Sequence, residues 1–375
     1  MRVGIDGKVM ALKAGGIGRY ALNLLKGMTE ILPQHPSIEL ILYPGPATEV
    51  PFSLPPRVQI SLRTPRVSSS FIRSACLFPV LLPRENLDIF HGLDHRGLPL
   101  FHKVCPLILS VHDMITWVHP EFFTWKHRWV VHFMLPRMIQ QADRIVTISH
   151  ASREDIAGFF KIDPEKIVVH YLGCEDHFRP AAPAAIEAIK QKYRLPGDYV
   201  LFVGTLEPRK NLILILQALS LLKRRGKWRG LKLAVVGRRG WLYEEIFAKI
   251  LSWHLEEDVL FLGFVDDREL PTLYSGSLFF IFPSFYEGFG LPVLEAMACG
   301  APVISSNTSS LPEVAGDAAY LVDPRNAEEL AWRMETLLES PSEREALRQK
   351  GMERAKLFSW SKAAQATLDL YQEMG

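Results

Sequence analysis

Cysteine is scarce in this sequence and long apolar runs are missing, and each shortage excludes a class of protein. The 375 residues include four cysteines, too few for a disulfide-stapled scaffold and typical of a reducing compartment. The longest apolar stretches, such as 212–222, are far shorter than the roughly 18 residues that a membrane-spanning helix needs. The first residues also lack the apolar core of a signal peptide, so we expect a cytoplasmic protein.

A strong net charge is also missing. Lys and Arg number 43 against 41 Asp and Glu, a net charge of +2 that does not favour a nucleic-acid partner. The charge is uneven, because residues 1–180 carry 20 basic and 16 acidic side chains together with 11 of the 12 histidines. A basic first half suits an anionic substrate or a membrane surface, and a chance imbalance on solvated faces explains the same count.

Short aliphatic runs alternate along the chain with longer amphipathic stretches, an order typical of parallel sheets with helices on both faces. Apolar residues make up 48% of the sequence, and the length suits about two domains. The predicted strands are Arg2–Asp6, 40–43, 107–111, 144–148, Tyr199–Val203, 231–236, 259–262, Phe279–Phe282 and 302–305. The predicted helices are 19–30, 126–140, 211–224, 243–253, 292–298 and Ala327–Glu339.

The strand and helix pattern restarts in the middle of the chain. Residues 172–193 are rich in proline and alanine and contain no clear strand, so we expect a linker there. We therefore predict an α/β protein of two doubly wound, Rossmann-like domains, residues 1–180 and 195–357, that face each other across a cleft. Ligands are expected at the carboxyl ends of the strands.

The loop after the strand Tyr199–Val203 contains a pair of cations. It reads Gly-Thr-Leu-Glu-Pro-Arg-Lys-Asn over residues 204–211 and precedes a predicted helix. Helix amino ends favour anions, and an arginine beside a lysine can neutralise a diphosphate without a metal. Thr205, Arg209 and Lys210 are thus candidate ligand contacts, and a solvated Arg-Lys pair on a loop is the structural alternative.

A second candidate segment follows the apolar strand Phe279–Phe282. Gly288 and Gly290 permit a tight loop in which backbone N–H groups approach a ligand, and Glu287 and Glu295 lie eight residues apart around it. Carboxylates accept hydrogen bonds well from the hydroxyls of a sugar or a ribose. The structural alternative is that Glu287 is solvated and Glu295 interacts with its own helix.

Two further positions lie in the first half. Glycines 15, 16 and 18 open a predicted helix, so the backbone of Gly16 is placed to meet a phosphate, although a flexible turn explains the same glycines. His112 follows the strand 107–111, where a sheet presents ligand contacts. A single histidine is more often a structural hydrogen-bonding group.

Together, the Glu-x7-Glu segment at 287–295, Glu-Pro-Arg-Lys-Asn at 207–211 and Gly-Gly-Ile-Gly-Arg-Tyr at 15–20 resemble motifs of retaining glycosyltransferases of family 4, which have the GT-B fold. The resemblance spans nearly the whole chain, and the motifs occur in the family's order. It implies a metal-independent hexosyltransferase without a cofactor, with residues 1–180 as the acceptor-side domain and residues 195–357 as the domain that binds the nucleotide sugar donor. In the family the final helix, here about 358–375, returns to the first domain.

The resemblance also implies roles for single residues. Arg209 and Lys210 would grip the donor diphosphate, with Gly16 at the distal phosphate. Glu287 would contact the donor sugar and Glu295 the ribose. The remaining implied contacts are His112 near the reacting carbon, the backbone of Gly288, Phe289, Gly290 and Leu291 along sugar and phosphate, and the segment containing Val265 at the base.

The substrates implied are a nucleotide sugar donor and a glycan or lipid-linked saccharide acceptor. Segments 237–241 and 117–137 look closest to bacterial mannosyltransferase-like members, which favours GDP-mannose over a UDP-sugar as donor. A sugar-nucleotide epimerase of the same architecture and a non-catalytic nucleotide-sugar-binding protein are the alternatives. No metal site is expected, because the histidine pair at 91 and 95 lacks a second pair at zinc spacing.

Basic and aromatic residues interleave in two stretches of the first half. Arg73 and Arg84 flank an apolar run at 76–82, and Trp125 and Trp129 lie near Lys126. Such a mixture suits a peripheral contact with the inner face of a membrane. Aromatic residues that pack in the domain core and line an acceptor groove are the other interpretation.

Overall fold

The computed structural model describes residues 1–10, 15–61, 67–195 and 197–375. These form two compact units, one of residues 1–173 with 359–375 and one of residues 174–358. The division lies inside the expected linker, near its amino end. The reason is that the Ala181 N–H donates to Ser275 Oγ and the ring of Phe178 packs against Tyr274, both contacts within the second unit.

The first unit is built on a seven-stranded parallel sheet with strand order β3-β2-β1-β4-β5-β6-β7. Val3 of the central strand pairs with Leu40 on one side and with Ile89 on the other. The strands are β1 Arg2–Asp6, β2 Glu39–Tyr43, β3 Val58–Ile60, β4 Ile89–Gly92, β5 Leu107–Ser110, β6 Arg144–Thr147 and β7 Ile167–Val169. The first helices of the chain are α1 Gly16–Ile31, α2 Ser70–Ile72, α3 Phe78–Leu81, α4 Ile115–Val118, α5 Trp125–Gln141 and α6 His150–Phe160.

The second unit has a six-stranded parallel sheet with strand order β10-β9-β8-β11-β12-β13. Its strands are β8 Tyr199–Val203, β9 Lys232–Val236, β10 Val259–Gly263, β11 Phe279–Phe282, β12 Val303–Ser306 and β13 Ala319–Val322. Its helices are α7 Pro183–Tyr193, α8 Leu212–Arg224, α9 Glu244–Ser252, α10 Leu270–Gly276, α11 Leu291–Ala298, α12 Leu311–Ala315, α13 Ala327–Glu339 and α14 Pro341–Ala355. Every residue of β11 is buried, as a strand covered on both faces requires.

The last helix, α15 Trp360–Met374, belongs to the first unit and packs against α1. The contact is close at Gly27, where an added Cβ would lie 2.9 Å from the Trp360 carbonyl oxygen. Only a residue without a side chain fits this helix crossing, which places the chain end on the first sheet's side of the molecule.

The predicted fold class of two Rossmann-like α/β sheets is confirmed, with some element assignments corrected. Strands β3, β4, β7 and β13, of three or four residues each, were not predicted. The expected linker at 172–193 instead contains α7, which packs on α10. Its proline at the first helical position starts the helix rather than breaking it.

In each sheet the strand order reverses at one place, and open α/β sheets bind ligands beside that topological switch point. In the first sheet it lies between β1 and β4, and in the second between β8 and β11. The loops that follow these four strands contain most of the candidate site residues.

Candidate active site

The loop after β8 carries the predicted cation pair at the switch point of the second sheet. It passes through a short 3-10 turn, Pro208–Lys210, and then Asn211 in the left-handed region with φ of 57°. The Asn211 amide donates to the carbonyl oxygens of Pro283 at 3.0 Å and Pro324 at 2.8 Å. These bonds tie the turn to the loop after β11 and fix the direction from which Arg209 and Lys210 enter the site.

The loop after β11 contains Glu287 and is hydrogen-bonded to the loop after β12. The Glu287 N–H donates to Ser309 Oγ at 2.9 Å, and Ser310 Oγ donates to the carbonyl oxygens of Glu287 at 2.9 Å and Phe289 at 2.8 Å. Gly290 has φ of 110°, and an added Cβ would lie 2.7 Å from Leu311 Cδ2. Glycine is therefore required where α11 begins.

The two loops meet in a buried group of four charges. Lys210 Nζ lies 2.6 Å from Glu287 Oε1, and Arg209 Nη1 lies 2.7 Å from Glu287 Oε2. Arg209 also lies 2.7 Å from Glu207 Oε1 through Nη2, and its Nη1 donates to the Tyr286 carbonyl oxygen at 3.1 Å. One carboxylate thus holds both cations, and the guanidinium is fixed from three sides.

The electrostatics of this group follow from burial and from two cations acting on one carboxylate. Burial opposes charge on Glu287, but Arg209 and Lys210 outweigh it and lower the pKa of its carboxyl to about 2. The ammonium of Lys210 also lies 4.7 Å from the centre of the Phe282 ring. Glu287 is therefore ionised at neutral pH. Burial and the neighbouring Arg209 lower the pKa of the Lys210 ammonium, and the Glu287 carboxylate opposes that shift.

Glu295 lies on α11 and is 2% exposed. The Tyr274 hydroxyl of α10 donates to its Oε2 at 3.2 Å. The structure thus buries Glu295 in contact with an aromatic hydroxyl. Its contact with a ribose stays a prediction.

The loops after β8 and β9 pack backbone to backbone. Gly204 N–H donates to the Val236 carbonyl oxygen and Leu206 N–H to the Arg238 carbonyl oxygen, each at 2.9 Å. An added Cβ at Gly237 would lie 1.9 Å from the Gly204 carbonyl oxygen, so this approach needs glycine. Thr205, between these contacts, is exposed.

Val265 and the residue before it differ in exposure. Val265 is buried, whereas the Phe264 ring is exposed and lies 4.3 Å from the guanidinium of Arg238. If a base binds here, it meets the Val265 backbone rather than its side chain, as the family resemblance implies.

Gly16 is the first residue of α1 in the other unit, and the N-cap residue, Gly15, has no side chain to cap the helix. The helix starts three residues earlier than predicted, since the glycines adopt the helical turn. An added Cβ at Gly16 would meet nothing within 4 Å among the residues that the structure describes. The backbone there is accessible, as a phosphate contact requires.

His112 follows β5 and is buried. Its Nε2 lies 2.9 Å from the Leu93 carbonyl oxygen, and the Tyr20 ring meets it edge-on at 4.5 Å. Burial lowers the pKa of His112, so the ring is neutral at neutral pH. Because a carbonyl only accepts, Nε2 carries the proton and the ring is fixed in one tautomer.

The structure thus brings Arg209, Lys210 and Glu287 together, and it places Gly16 and His112 in the first unit. Sequence reasoning missed Glu207 as the second carboxylate and the hydroxyls of Ser309 and Ser310. A signal existed for the serines, because a run of Ser, Asn and Thr at 305–310 spans the carboxyl end of β12 and the loop after it.

The proposed membrane-facing residues divide into two groups. Arg73 was expected at the surface, but it is 1% exposed and lies 2.6 Å from Asp6 Oδ1, so this expectation is wrong. On α5, Trp125 and Trp129 are 71% and 64% exposed. No helix within the described ranges is long and apolar enough to cross a membrane.

Family models match both units. The model described as Glycosyltransferase Family 4 matches residues 14–178, and the one described as Glycosyl transferases group 1 matches residues 185–354. The first match includes strands β2 to β7, and the second includes β8 to β13 and the whole ion group around Glu287.

Individual proteins resemble the chain along most of its length. The O-antigen chain mannosyltransferase B of Escherichia coli is 36% identical over 285 residues, which is 76% of this chain and 74% of that protein. The MMP alpha-(1->4)-mannosyltransferase of Mycolicibacterium hassiacum is 29% identical over 312 residues, 77% of this chain and 71% of that one. The structure of Anabaena Alr3699/HepE in complex with UDP and glucose superposes with a TM-score of 0.77 over 100% of both chains at 19% identity.

Proposed function

Since the chain belongs to the mannosyltransferase-like glycosyltransferases of family 4 and group 1, hexosyltransferases with the GT-B fold, we propose that it transfers mannose from GDP-mannose to a hydroxyl of a glycan or lipid-linked saccharide, with retention of the anomeric configuration. Mannose as the transferred sugar is supported by the names of the two mannosyltransferase relatives, one of which acts on an O-antigen chain. A UDP-sugar is the alternative donor.

The observation that carries this proposal is the ion group at the second switch point. Breaking the bond between the sugar and the diphosphate leaves negative charge on a phosphate oxygen. Arg209 and Lys210 are held within 2.7 Å of Glu287, and preorganised cations in a buried site stabilise such charge without reorganising. We propose that Glu287 also accepts hydrogen bonds from hydroxyls of the donor sugar.

Retention would follow from attack on the same face as the departing diphosphate. The acceptor oxygen forms a bond to the anomeric carbon, the bond from that carbon to the phosphate oxygen breaks, and the released phosphate oxygen takes the acceptor's proton. This route requires no protein nucleophile. A covalent carboxylate intermediate is the other route to retention.

We also propose that the reaction needs no metal. Two cations on one loop supply the charge that a divalent ion would otherwise supply to a diphosphate. Within the described residues, no group of three His, Cys, Asp or Glu side chains is arranged to hold a metal. Full activity in excess EDTA is expected, and recovery only with Mg²⁺ or Mn²⁺ would contradict the proposal.

A panel of nucleotide sugars tests the function. Thermal shift with GDP, UDP, GDP-mannose and UDP-sugars should give the largest stabilisation with the guanine nucleotides, because a ligand bound to the folded state raises stability. Transfer to mannosides and to lipid-linked saccharides is then followed with radiolabelled donor, and the product's anomeric configuration by NMR.

The alternatives give different results in the same panel. An epimerase converts the donor sugar without an acceptor, and a non-catalytic binding protein shifts its melting temperature without turnover. A transferase depends on added acceptor apart from slow hydrolysis. An inverted product would refute the retaining mechanism alone.

We further propose that α5 rests on an anionic membrane surface at the cytoplasmic face. The support is that α5 contains basic residues and no acidic one, and that Trp129 and Phe133 stack at 5.5 Å on its surface. Vesicles with 30% anionic lipid should sediment the protein at low salt. The Trp125→Ala, Trp129→Ala double variant should stay in the supernatant, and equal sedimentation of both proteins would refute the proposal.

A further inference from the structure

Four buried polar side chains of the first unit are joined by hydrogen bonds in a line that ends beside His112. The Tyr371 hydroxyl oxygen lies 2.7 Å from His91 Nδ1, and His91 Nε2 lies 2.9 Å from Ser110 Oγ. Ser110 Oγ in turn lies 3.0 Å from the Tyr20 hydroxyl oxygen. We call these four residues the polar network. It connects the last helix α15 with β4, β5 and the first helix α1, which are remote from one another in sequence.

The polar network is expensive for a protein core. None of its four side chains is more than 2% exposed. Burying a hydroxyl or an imidazole costs free energy that its hydrogen bonds largely offset, so apolar residues of similar size would give comparable stability. Networks of this kind hold their members in one arrangement, which indicates that precise placement is what these residues provide.

His91 couples the two ends of the polar network. Burial lowers the pKa of His91 to about 3, so its ring is neutral at neutral pH. A neutral imidazole donates through one nitrogen and accepts at the other. Tyr371 and Ser110 therefore cannot both donate to His91, and the sense of one hydrogen bond determines the sense of the other.

Tyr20 contacts two residues of the same extended segment. The backbone pairing of β5 continues past Ser110, since the Val111 N–H donates to the Val146 carbonyl oxygen at 2.9 Å. Side chains two residues apart on such a backbone lie on one face, so Ser110 and His112 are neighbours. The Tyr20 hydroxyl bonds to Ser110, and the Tyr20 ring meets the His112 ring at 4.5 Å and 74°.

The contact with Tyr20 determines how the His112 ring is tilted. The Leu93 carbonyl oxygen lies 2.9 Å from His112 Nε2, which fixes the place of one ring nitrogen. Rotation about that hydrogen bond is limited by side-chain packing, and the edge-on ring of Tyr20 supplies such a contact. Groups that act on a reacting carbon have to be held to within about 0.5 Å, and neighbouring side chains achieve this.

We propose that the polar network positions the His112 ring for the transfer reaction, so that Tyr20 and Tyr371 are positioning residues and helix α15 contributes to turnover. The inference rests on the proposed function, because it deepens the role that His112 has in that reaction.

The first test removes single hydroxyls. Tyr20→Phe and Tyr371→Phe keep the aromatic rings and each delete one hydrogen bond. A neutral hydrogen bond contributes about 0.5–1.5 kcal/mol, so we expect kcat for transfer from GDP-mannose to fall about 2- to 12-fold in each variant. The KM values of donor and acceptor should stay within twofold, because the four side chains are buried away from any substrate.

Tyr43→Phe is the matched control for these two variants. Tyr43 is equally buried in the same unit, and its hydroxyl has no hydrogen-bond partner among the described residues. The same substitution there should leave kcat and both KM values at wild-type levels. A general loss of activity on removing any buried hydroxyl would therefore be recognised.

A double-mutant cycle then asks whether the two hydroxyls act through one network. Residues that act through shared hydrogen bonds give non-additive effects, whereas independent residues give effects that multiply. The Tyr20→Phe, Tyr371→Phe double variant should therefore lose little more kcat than the more impaired single variant. A loss equal to the product of the two single losses would contradict the inference.

NMR of the protein labelled with ¹³C-histidine tests the placement without any substrate. The ring signal of His112, assigned from its absence in His112→Asn, should move in Tyr20→Phe and also in Tyr371→Phe. Thr367→Val is the control on α15, because Thr367 lies one helical turn before Tyr371 and its Oγ1 lies 3.1 Å from Nδ1 of a different histidine, His170. The His112 signal should not move in this control.

The two measurements separate the possible failures. Wild-type kcat in both Tyr20→Phe and Tyr371→Phe, or an unmoved His112 signal in both, would overturn the inference while transfer by the wild type persists. Absence of any transfer by the wild type would instead refute the proposed function, and with it the catalytic part of the inference.

Discussion

The two switch points have the same strand geometry, but the pKa of a buried carboxyl is lowered at one and raised at the other. In the second sheet, burial of Glu287 is outweighed by Arg209 and Lys210, and its pKa falls to about 2. In the first sheet, burial of Asp6 outweighs the single ion pair with Arg73, and its pKa rises to about 6. A second cation at Glu287, and the neighbouring Asp94 carboxylate at Asp6, account for the opposite directions of the two pKa shifts.

The two switch points therefore differ in their charged groups. The second holds two cations against Glu287, which suits the diphosphate of a donor. The first holds Lys8, Arg73 and Arg96 near Asp6 and Asp94, beside histidines whose pKa values are lowered by burial.

The largest expected effect that separates the units is their response to acid. Burial lowers the pKa of His91 to about 3, and of His95 and His170 to about 4, all in the first unit. Each neutral buried histidine makes its full contribution to the free energy of unfolding above pH 6.5. As pH falls below that value this contribution is lost, by up to roughly 2 kcal/mol for each histidine at pH 5. The pKa of Asp6 is raised, so protonation of its carboxyl offsets this loss in the free energy of unfolding by roughly 1 kcal/mol over the same pH range.

The second unit should be insensitive over that range. The pKa of Glu287 is lowered, so its stabilisation is lost only as pH falls from about 4.5 towards 2. Hydrogen exchange at pH 7 and pH 5, corrected for intrinsic rates, should show loss of protection in residues 1–173 but not in 174–358. Equal loss of protection in both units would contradict the assignment of the acid-sensitive histidines to the first unit.

Removal of one cation from the second switch point is the next largest effect. Lys210→Ala leaves Glu287 paired with Arg209, so the unit should still fold. The charge on the leaving phosphate loses a preorganised partner, and kcat should fall about 10²- to 10³-fold in GDP-mannose turnover assays.

Lys223→Ala is its control, because Lys223 forms a partly exposed ion pair with Asp258 in the same unit. Its kcat should match the wild type. A Lys210→Ala enzyme with the wild-type rate would exclude the role assigned to this ion group.

The smallest effect concerns geometry at constant charge. Arg209→Lys keeps a positive charge but cannot bridge Glu207, Glu287 and the Tyr286 carbonyl oxygen together, because an ammonium lacks the planar fork. We expect kcat to fall about tenfold with a change in melting temperature of a few degrees. An unchanged kcat would show that the positive charge at this position is sufficient for turnover and that the planar guanidinium is not required.

The sequence predicted the long buried strands and the amphipathic helices closely, since their periodicity is local. Tyr199–Val203, Phe279–Phe282 and Ala327–Glu339 coincide with their predicted bounds. Short edge strands such as Val58–Ile60 escaped prediction, because they are stabilised by sheet pairing rather than by their own pattern.

At the site, sequence spacing identified residue types at strand ends but not their partners. Arg209 and Glu287 are 78 positions apart, and only the pairing of β8 with β11 brings their loops within 2.7 Å. Arg73 shows the limit most clearly, since its neighbours in sequence indicate a surface and its neighbours in space form a buried floor.

By itself, the sequence determined the fold class, the two sheets and the positions of the cation pair, the glycine turns and the two glutamates, because local pattern and backbone freedom specify these. The tertiary structure alone decided which carboxylate neutralises which cation and whether burial or pairing sets its charge. Electrostatic energy depends on distances and dielectric surroundings that arise only when remote strands pair.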